Sequence, residues 1–273
     1  MKLFFTKMQG LGNDFILVDD PDGNLNLHPE QIRFLCDRHF GIGADGIITV
    51  GSSEMADLKM RIFNSDGSEP EMCGNGIRCF AVYARDRGLV QDNAMTVETL
   101  AGIMRPRIDG DRVIVDMGPP EISGPLIPVD LPGKVLDHQA VFGDYRVSIT
   151  CVSMGNPHCV IFYPRDHLLP VEELGPVIET DPLFPEKTNV EFIQVISREE
   201  IDFQVWERGA GRTLACGTGA CAAVVAGALT GRTGRKVLVH LPGGDLMVEW
   251  REDNHVFMSG SAAPVFTGEI NLD

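Results

Sequence analysis

Two cysteines, each placed just before a glycine-rich helix start, are the residues of this sequence best suited to chemistry. Cys73 begins the segment Cys-Gly-Asn-Gly and Cys216 begins the segment Cys-Gly-Thr-Gly, and an apolar helical pattern follows each. A thiol at a helix N-terminus lies beside unpaired backbone N–H groups and the positive end of the helix dipole, which lower its pKa. We therefore expect two thiols that can exchange a proton with a ligand.

The two segments indicate an internal duplication. Cys73 and Cys216 are 143 residues apart, and the same spacing relates Gly12-Asn13 to Gly155-Asn156, Gly76 to Gly219 and Gly88 to Gly231. Two thiols that face each other across a pseudo-twofold axis can deliver a proton to either face of one carbon. Inverting a stereocentre without a cofactor requires this arrangement. Taken singly, either cysteine is equally well explained as a small buried apolar residue, so the functional interpretation depends on the repeat.

The glycines after each cysteine predict an anion site. The first N–H groups of both helices are left open to a ligand by the glycines Gly74, Gly76, Gly217 and Gly219. The two helix starts are therefore expected to bind one carboxylate together. The α-hydrogen of an amino acid is a very weak acid. Its removal needs charge placed where the carbanion develops.

Polar residues near the repeated motifs are candidate ligands. His158 lies in the second-copy counterpart of the Asn13 loop; a lone histidine there is usually a core residue, but an imidazole near a thiol would tune or hold its proton. Glu207 and Arg208 follow the strand that leads to Cys216, where a carboxylate suits an ammonium group and a guanidinium suits a carboxylate. Neutral amides that suit a zwitterion are provided by Asn13, Asn64, Asn156 and Asn189.

Composition excludes several classes of partner. The chain has 273 residues and a formal net charge of −16, which argues against nucleic acid and against anionic membrane surfaces as partners. No apolar run is long enough for a transmembrane helix or a secretory leader, so we expect a cytoplasmic protein. The seven cysteines are an odd number and lack zinc-site spacing, so reduced thiols and no metal are expected.

The pattern of elements predicts two domains of α/β (mixed α+β) class. Strands are expected over residues 3–9, 15–19, 57–63 and 200–206, and helices over 29–40, 74–87 and 217–230. The densest Pro/Gly stretch, residues 118–128, is predicted to be the crossover between the domains. We expect an N-terminal domain over 1–117, completed by a C-terminal strand at 263–273, and a second domain over 118–262.

The sequence resembles the diaminopimelate epimerase family over nearly its whole length. The resemblance rests on Gly12-Asn-Asp-Phe15, Asn64-Ser-Asp-Gly-Ser68, Cys73-Gly-Asn-Gly-Ile-Arg78, Gly155-Asn-Pro-His158, Thr188-Asn189, Glu207-Arg-Gly-Ala-Gly211 and Ala215-Cys-Gly-Thr-Gly219. It implies two pseudo-symmetric domains, each a mixed barrel-like sheet around a central helix. It also implies an enzyme that interconverts LL- and meso-diaminopimelate without pyridoxal phosphate or any other cofactor. Such an enzyme would be cytoplasmic, would serve lysine and peptidoglycan-precursor biosynthesis, and would form a homodimer.

The resemblance also implies roles for individual residues. Cys73 and Cys216 would be the acid/base pair, and His158 and Glu207 would modulate the thiols. Backbone N–H groups of Gly74, Asn75, Gly217 and Thr218 would hold the reacting carboxylate. The rest of a small amino-acid substrate would be held by Asn13, Asn64, Asn156, Asn189, Glu207 and Arg208.

Two other functions are compatible with the cysteine pair. A proline racemase-like isomerase of the same fold also uses two cysteines, but its first cysteine typically precedes Gly-His, where this chain has Gly74-Asn75. A substrate with one carboxylate would also leave Arg208 without a role. The other alternative is a non-catalytic binding or redox-sensing module whose two cysteines close to a disulfide.

Overall fold

The computed structural model describes residues 2–272, so Met1 and Asp273, the outermost residues of the predicted terminal ranges, lie outside it. The chain divides into two compact units. Unit 1 comprises Met1–Asp116 and Ser259–Asp273, and unit 2 comprises Met117–Met258.

Unit 1 is built on a seven-stranded mixed sheet. Its elements are β1 (Lys2–Gly10), β2 (Asn13–Asp19), α1 (Pro29–Cys36), β3 (Gly46–Gly51), β4 (Leu58–Asn64), α2 (Gly74–Asp86), β5 (Val97–Thr99), β6 (Gly102–Met104), β7 (Arg107–Asp109), β8 (Arg112–Asp116) and, from the C-terminal segment, Ala263–Asn271. This last strand pairs antiparallel with β1 at one edge, followed in order by β2, β3, β4, β5 and β6. Helix α2 packs on β1, β2, β3 and β4 and is buried from Gly74 to Ala84.

Unit 2 repeats this plan. Its elements are a 3-10 turn (Gly124–Leu126), β9 (His138–Phe142), β10 (Tyr145–Ser153), β11 (Pro157–Tyr163), α3 (Val171–Glu179), β12 (Asn189–Ser197), β13 (Glu200–Glu207), β14 (Gly211–Arg212), α4 (Gly217–Leu229), β15 (Lys236–Leu241), β16 (Gly244–Trp250) and β17 (Val256–Ser261). The boundary with unit 1 falls within β17. The C-terminal strand of unit 1, Ala263–Asn271, is β18. Its sheet runs in the order β9-β10-β11-β12-β13-β15-β16-β17. Helix α4 packs against β10, β11, β12, β15 and β16.

Strand register confirms the duplication. In unit 1, β2 and β3 are parallel with Phe15 opposite Gly46. In unit 2, β11 and β12 are parallel with His158 opposite Asn189, at the same spacing along the chain. Helices α2 and α4 also begin and end at equivalent positions. The predicted mixed α/β class with a central helix in each half is confirmed.

Helix α1 is shorter than predicted: the apolar pattern predicts a helix to residue 40, whereas α1 ends at Cys36. The Asp37 side chain accepts hydrogen bonds from the backbone N–H groups of His39 and Phe40, which closes a turn at that point. A Cβ atom on Gly41 would lie 1.9 Å from the carbonyl oxygen of Phe34, so the chain can fold back onto the helix only with glycine there. Local side-chain capping thus overrides the apolar periodicity.

The small side chains of α4 explain its burial. Ten of its residues are buried, and all ten are Gly, Ala, Val or Cys. Such residues let a helix approach the surrounding strands on several sides.

Within residues 2–272, no helix is both long and apolar enough to cross a bilayer.

Buried thiols in the core predict a loss of stability at alkaline pH. Burial raises the pKa of Cys79 to about 12, although Arg78 opposes the shift. The unfolded chain releases this proton near pH 9 while the folded protein keeps it. The free energy of unfolding therefore falls above pH 9, by about 1.4 kcal/mol per pH unit for this thiol. Denaturant unfolding of wild type and Cys79→Ala from pH 7 to 10.5 should show that the difference in their free energies of unfolding shrinks above pH 9. A constant difference would contradict the raised pKa of Cys79.

Candidate active site

Each candidate cysteine occupies the N-terminal cap of a buried helix. Cys73 precedes α2 in an extended conformation, and its Sγ accepts a hydrogen bond from the backbone N–H of Gly76 at 3.4 Å. Cys216 precedes α4 in the same conformation and is 4% exposed. Gly74 and Asn75 lie buried in the first turn of α2, and in the first turn of α4 Gly217 is buried and Thr218 is half-buried. The two thiols therefore lie beside the N–H groups that the sequence pattern indicated.

In unit 1, the structure brings Asn13 and Asn75 to Cys73. The Oδ1 atom of Asn13 accepts a hydrogen bond from Asn75 Nδ2 at 3.1 Å and lies 3.9 Å from Cys73 Sγ. On its other side, Asn13 Nδ2 donates to Asp45 Oδ2 at 2.7 Å. This contact fixes the amide with its oxygen toward the thiol. Asn64 is exposed at the end of β4, where its Nδ2 donates to Ser68 Oγ.

A charge network supports Asp45. Arg38 Nη2 lies 2.7 Å from Asp45 Oδ1 and 2.7 Å from Asp14 Oδ1, and Lys7 Nζ lies 2.6 Å from Asp14 Oδ2. Burial alone would raise the pKa of Asp14, but the hydrogen bonds from Arg38 and Lys7 outweigh it and lower that pKa to about 2. The Asp14 carboxylate is therefore charged at neutral pH, and its ion pair with Arg38 joins it to Asp45, which holds the Asn13 amide.

In unit 2, a series of hydrogen bonds leads to Cys216. Its Sγ lies 3.6 Å from the hydroxyl oxygen of Thr218, which accepts a hydrogen bond from Asn156 Nδ2 at 3.4 Å. The Oδ1 atom of Asn156 lies 2.9 Å from Nε2 of His158, a residue with no exposed surface. The predicted residues Asn156, His158, Cys216 and Thr218 thus lie together.

Glu191 is the buried functional candidate that the sequence interpretation missed. It lies on β12 without exposed surface, and its Oε1 is 2.6 Å from Nδ1 of His158. Its Oε2 is buried and has no hydrogen-bond partner among the described residues. Burial raises the pKa of Glu191, opposed by His158. The available signal was an acidic residue inside the apolar run from Val190 to Phe192; a strand buried on both faces has no solvated side for a carboxylate.

The expected lowering of the Cys216 pKa was wrong. Burial raises the pKa of this thiol well above its ordinary value, and the nearby carboxylates of Glu207 and Glu191 raise it further. Hydrogen bonds from Thr218 and from the backbone N–H of Gly219 act in the opposite direction but are weaker. In this structure Cys216 is therefore a thiol at neutral pH.

Glu207 and Arg208 begin a loop that is tied down at several points. Oε1 of Glu207 accepts a hydrogen bond from the Thr213 hydroxyl. The backbone N–H of Arg208 donates to Asn189 Oδ1 at 2.9 Å, and Asn189 Nδ2 donates to the carbonyl of Pro157 at 2.9 Å. Arg208 is exposed, and its Nη1 donates to the carbonyl of Glu186. Buried Asn189 thus joins the loop of Glu207 and Arg208 to the strand of His158.

The groups around each cysteine suit proton transfer. In each unit the thiol can exchange a proton, and the helix start and nearby amides supply hydrogen-bond donors and acceptors; unit 2 adds the charged side chains of Glu207 and Arg208. Among residues 2–272, no group of three or more His, Cys, Asp or Glu side chains is arranged to hold a metal ion.

The third residue of both α2 and α4 is a glycine, and the surroundings of these two glycines predict different effects of substitution by alanine. A Cβ on Gly219 would lie 2.7 Å from Glu191 Oε1 and 3.2 Å from Cys216 Sγ, whereas the atom nearest to a Cβ on Gly76 would be Ile48 Cδ1 at 3.1 Å. Alanine gains about 1 kcal/mol of helix propensity at both sites, but overpacking costs about 1–3 kcal/mol where the neighbour cannot move. Denaturant unfolding should show Gly219→Ala less stable than Gly76→Ala; equal stability would contradict the rigid placement of Glu191.

Comparison with known proteins gives a family for this chain. The family model described as diaminopimelate epimerase matches residues 5–123 and 150–265. A protein of Moorella thermoacetica named diaminopimelate epimerase is 56% identical over 99% of this chain and 100% of its own length. Another of that name, from Methanococcus maripaludis, is 49% identical over 98% of this chain and 99% of its own length.

Solved structures share the fold at low sequence identity. A Bacillus anthracis phenazine biosynthesis protein of the PhzF family superposes with a TM-score of 0.72 at 19% identity, and each chain is covered completely. A hydroxyproline epimerase from Agrobacterium vitis superposes with a TM-score of 0.70 at 13% identity over 100% of this chain and 93% of its own. With matches that span both units at high identity, this chain belongs to the diaminopimelate epimerase family.

Proposed function

We propose that this chain interconverts LL- and meso-diaminopimelate by a two-base mechanism that uses no cofactor, as a cytoplasmic enzyme acting on a small amino acid. The observation that carries the proposal is the pair of cysteines at the caps of two equivalent buried helices, Cys73 before α2 and Cys216 before α4. The family to which the chain belongs supports the choice of substrate.

In this proposal one sulfur removes the α-hydrogen and the other delivers a proton to the opposite face of the same carbon. The carbanion is stabilised by donors to the adjacent carboxylate, and backbone N–H groups of Gly74, Asn75, Gly217 and Thr218 serve as those donors. One thiolate and one thiol are needed at the start of each turnover. The raised pKa of Cys216 supports its assignment as the initial thiol; in the reverse direction the two roles exchange.

The remaining polar residues bind and orient the substrate in this proposal. Glu207 pairs with an ammonium group and Arg208 with a carboxylate, as their charges allow. The amides Asn13, Asn64, Asn156 and Asn189 hold the rest of the molecule, including the distal centre that stays fixed. His158 and Glu207 modulate the thiols, an assignment supported by the effect of Glu207 on the pKa of Cys216.

Solvent deuterium provides the test. The reduced protein is incubated with LL-diaminopimelate in deuterated water, and NMR follows both the loss of α-hydrogen and the appearance of the meso product. We expect deuterium to enter together with meso product, because the incoming proton comes from a thiol that exchanges with solvent. Cys73→Ser and Cys216→Ser should each lower turnover at least about 100-fold.

Two controls make this experiment decisive. Cys36→Ser changes a buried cysteine of α1 outside the site and should leave turnover within about twofold. Proline is offered as an alternative substrate. Near-normal turnover by either Cys73→Ser or Cys216→Ser would refute the two-base mechanism. Deuterium entry into proline but not into diaminopimelate would refute diaminopimelate as the substrate.

We further propose that the protein is a homodimer formed through the edge of the unit 1 sheet. β18 is the edge strand, and exposed edges readily pair with another chain. Large apolar side chains lie exposed along this edge and its neighbour: Phe4 is 65% exposed, Val265 57% and Phe266 48%. An apolar patch of this kind is typical of an interface.

Sedimentation velocity tests the dimer. Wild type should sediment as a dimer, and Phe4→Glu should shift it toward monomer because a charge would then be buried in the interface. The matched control is Phe40→Glu, since Phe40 is 83% exposed but belongs to neither strand and lies in the segment between α1 and β3. A monomeric wild type, or equal effects of the two variants, would refute this interface.

A further inference from the structure

A continuous series of polar contacts links a fully buried carboxyl group to Cys216. Glu191 Oε1 lies 2.6 Å from His158 Nδ1, and His158 Nε2 lies 2.9 Å from Asn156 Oδ1. Asn156 Nδ2 then donates to Thr218 Oγ1 at 3.4 Å, and Thr218 Oγ1 lies 3.6 Å from Cys216 Sγ. Every member of this series belongs to unit 2.

The chemistry of these groups gives the series a direction. An amide oxygen only accepts hydrogen bonds, so Nε2 of His158 must carry a hydrogen to bond Asn156 Oδ1. The amide is thereby oriented with its NH2 group toward Thr218. With that contact made, the Thr218 hydroxyl hydrogen can be donated to the sulfur whenever Cys216 is a thiolate. The arrangement at the thiol therefore depends on which ring nitrogen of His158 is protonated.

Glu191 is the group that sets this protonation. Its Oε1 lies 2.6 Å from Nδ1, a distance that requires a hydrogen on one of the two atoms. With Nε2–H donated to Asn156, that hydrogen is either on a neutral Glu191 carboxyl group that donates to Nδ1, or on Nδ1 of a ring that carries both hydrogens and donates to the carboxylate. Both arrangements keep Nε2–H, whereas a neutral ring that donates from Nδ1 would lose it.

The first copy lacks this pair. The positions equivalent to His158 and Glu191 are Phe15 and Ile48, both buried and apolar. The surroundings of the helix starts show the same equivalence, because the neighbour nearest a Cβ on Gly76 is Ile48 and the neighbour nearest a Cβ on Gly219 is Glu191. The polar pair is thus not required by the fold and is specific to the half that carries Cys216.

We propose that Glu191 is a positioning residue for Cys216: it fixes the Nε2–H form of His158 and, through Asn156, aims the hydroxyl of Thr218 at the sulfur. The contribution to turnover rests on the proposed function, whereas the protonation of His158 does not. Glu191 itself touches neither the sulfur nor a substrate in this role.

Rescue by an isosteric amide tests the proposal. In Glu191→Gln the NH2 group donates to Nδ1, so the Nε2–H form is kept, and kcat should stay within about threefold of wild type. Glu191→Leu leaves Nδ1 without its partner, and kcat should fall about 10–100-fold with little change in KM. A wild-type kcat for Glu191→Leu would overturn the proposal, and so would an equal loss in both variants.

Nitrogen-15 NMR of labelled histidine gives a readout independent of activity. His158 is assigned by its absence in His158→Phe. Wild type and Glu191→Gln should both show a protonated Nε2 at His158, and Glu191→Leu should show a mixture of ring forms. An unprotonated Nε2 in the wild type would overturn the proposal even if Glu191→Leu fails to fold. A wild type inactive on diaminopimelate would instead refute the proposed function and leave this measurement to decide the role of Glu191.

Two further variants separate positioning from folding. The double variant His158→Phe with Glu191→Ile recreates the pair found in unit 1. It should fold with an unchanged or higher melting temperature, since apolar residues often replace a buried ionic pair without loss. As a matched control, Glu200→Leu removes the carboxylate from the His240–Glu200 contact of 2.8 Å, a partly exposed pair of unit 2, and should leave kcat within about twofold.

Discussion

Each half of this protein depends on a cysteine that caps a helix surrounded by strands. The first N–H groups of such a helix reach a ligand only where the next residues carry little bulk. At the third helical position, a side chain would enter the space filled by Ile48 in unit 1 and by Glu191 in unit 2. Glycine there lets the strands pack directly under the thiol, so the packing of the core and the geometry of the site have the same origin.

At Cys216 two physical effects oppose each other, and their sizes decide the state of the thiol. The helix N-terminus favours a thiolate. Burial favours the neutral form, and the carboxylates of Glu207 and Glu191 add repulsion against a second negative charge. Burial dominates in this structure. In the proposed mechanism, the ammonium group of a bound zwitterion would weaken that repulsion and bring the thiol closer to the range in which it can exchange a proton.

The sequence was most informative where a pattern is repeated. The spacing of 143 residues located both helix caps, the paired strands and the glycines that end the helices, because each copy checks the other. It failed where a single side chain decides the outcome: Asp37 ends α1 by capping a turn, and Asp45 holds Asn13 across the sheet. Glu191 was missed because its neighbours in the sequence are apolar, while its partner His158 is 33 residues away. Contacts of that kind follow from strand pairing and leave no local pattern.

The difference between the pairs Phe15/Ile48 and His158/Glu191 has a consequence for how such a protein can arise. A twofold assembly of identical single-copy chains places the same residues in both halves, so any change at one thiol is imposed on the other. Covalent linkage of the two copies removes that restriction. One copy can bury hydrocarbon where the other buries a titratable pair, and two thiols with the same backbone setting can differ in proton affinity. A substrate with one reacting centre and one spectator centre is itself unsymmetrical, and a receptor for it gains from halves that are free to diverge.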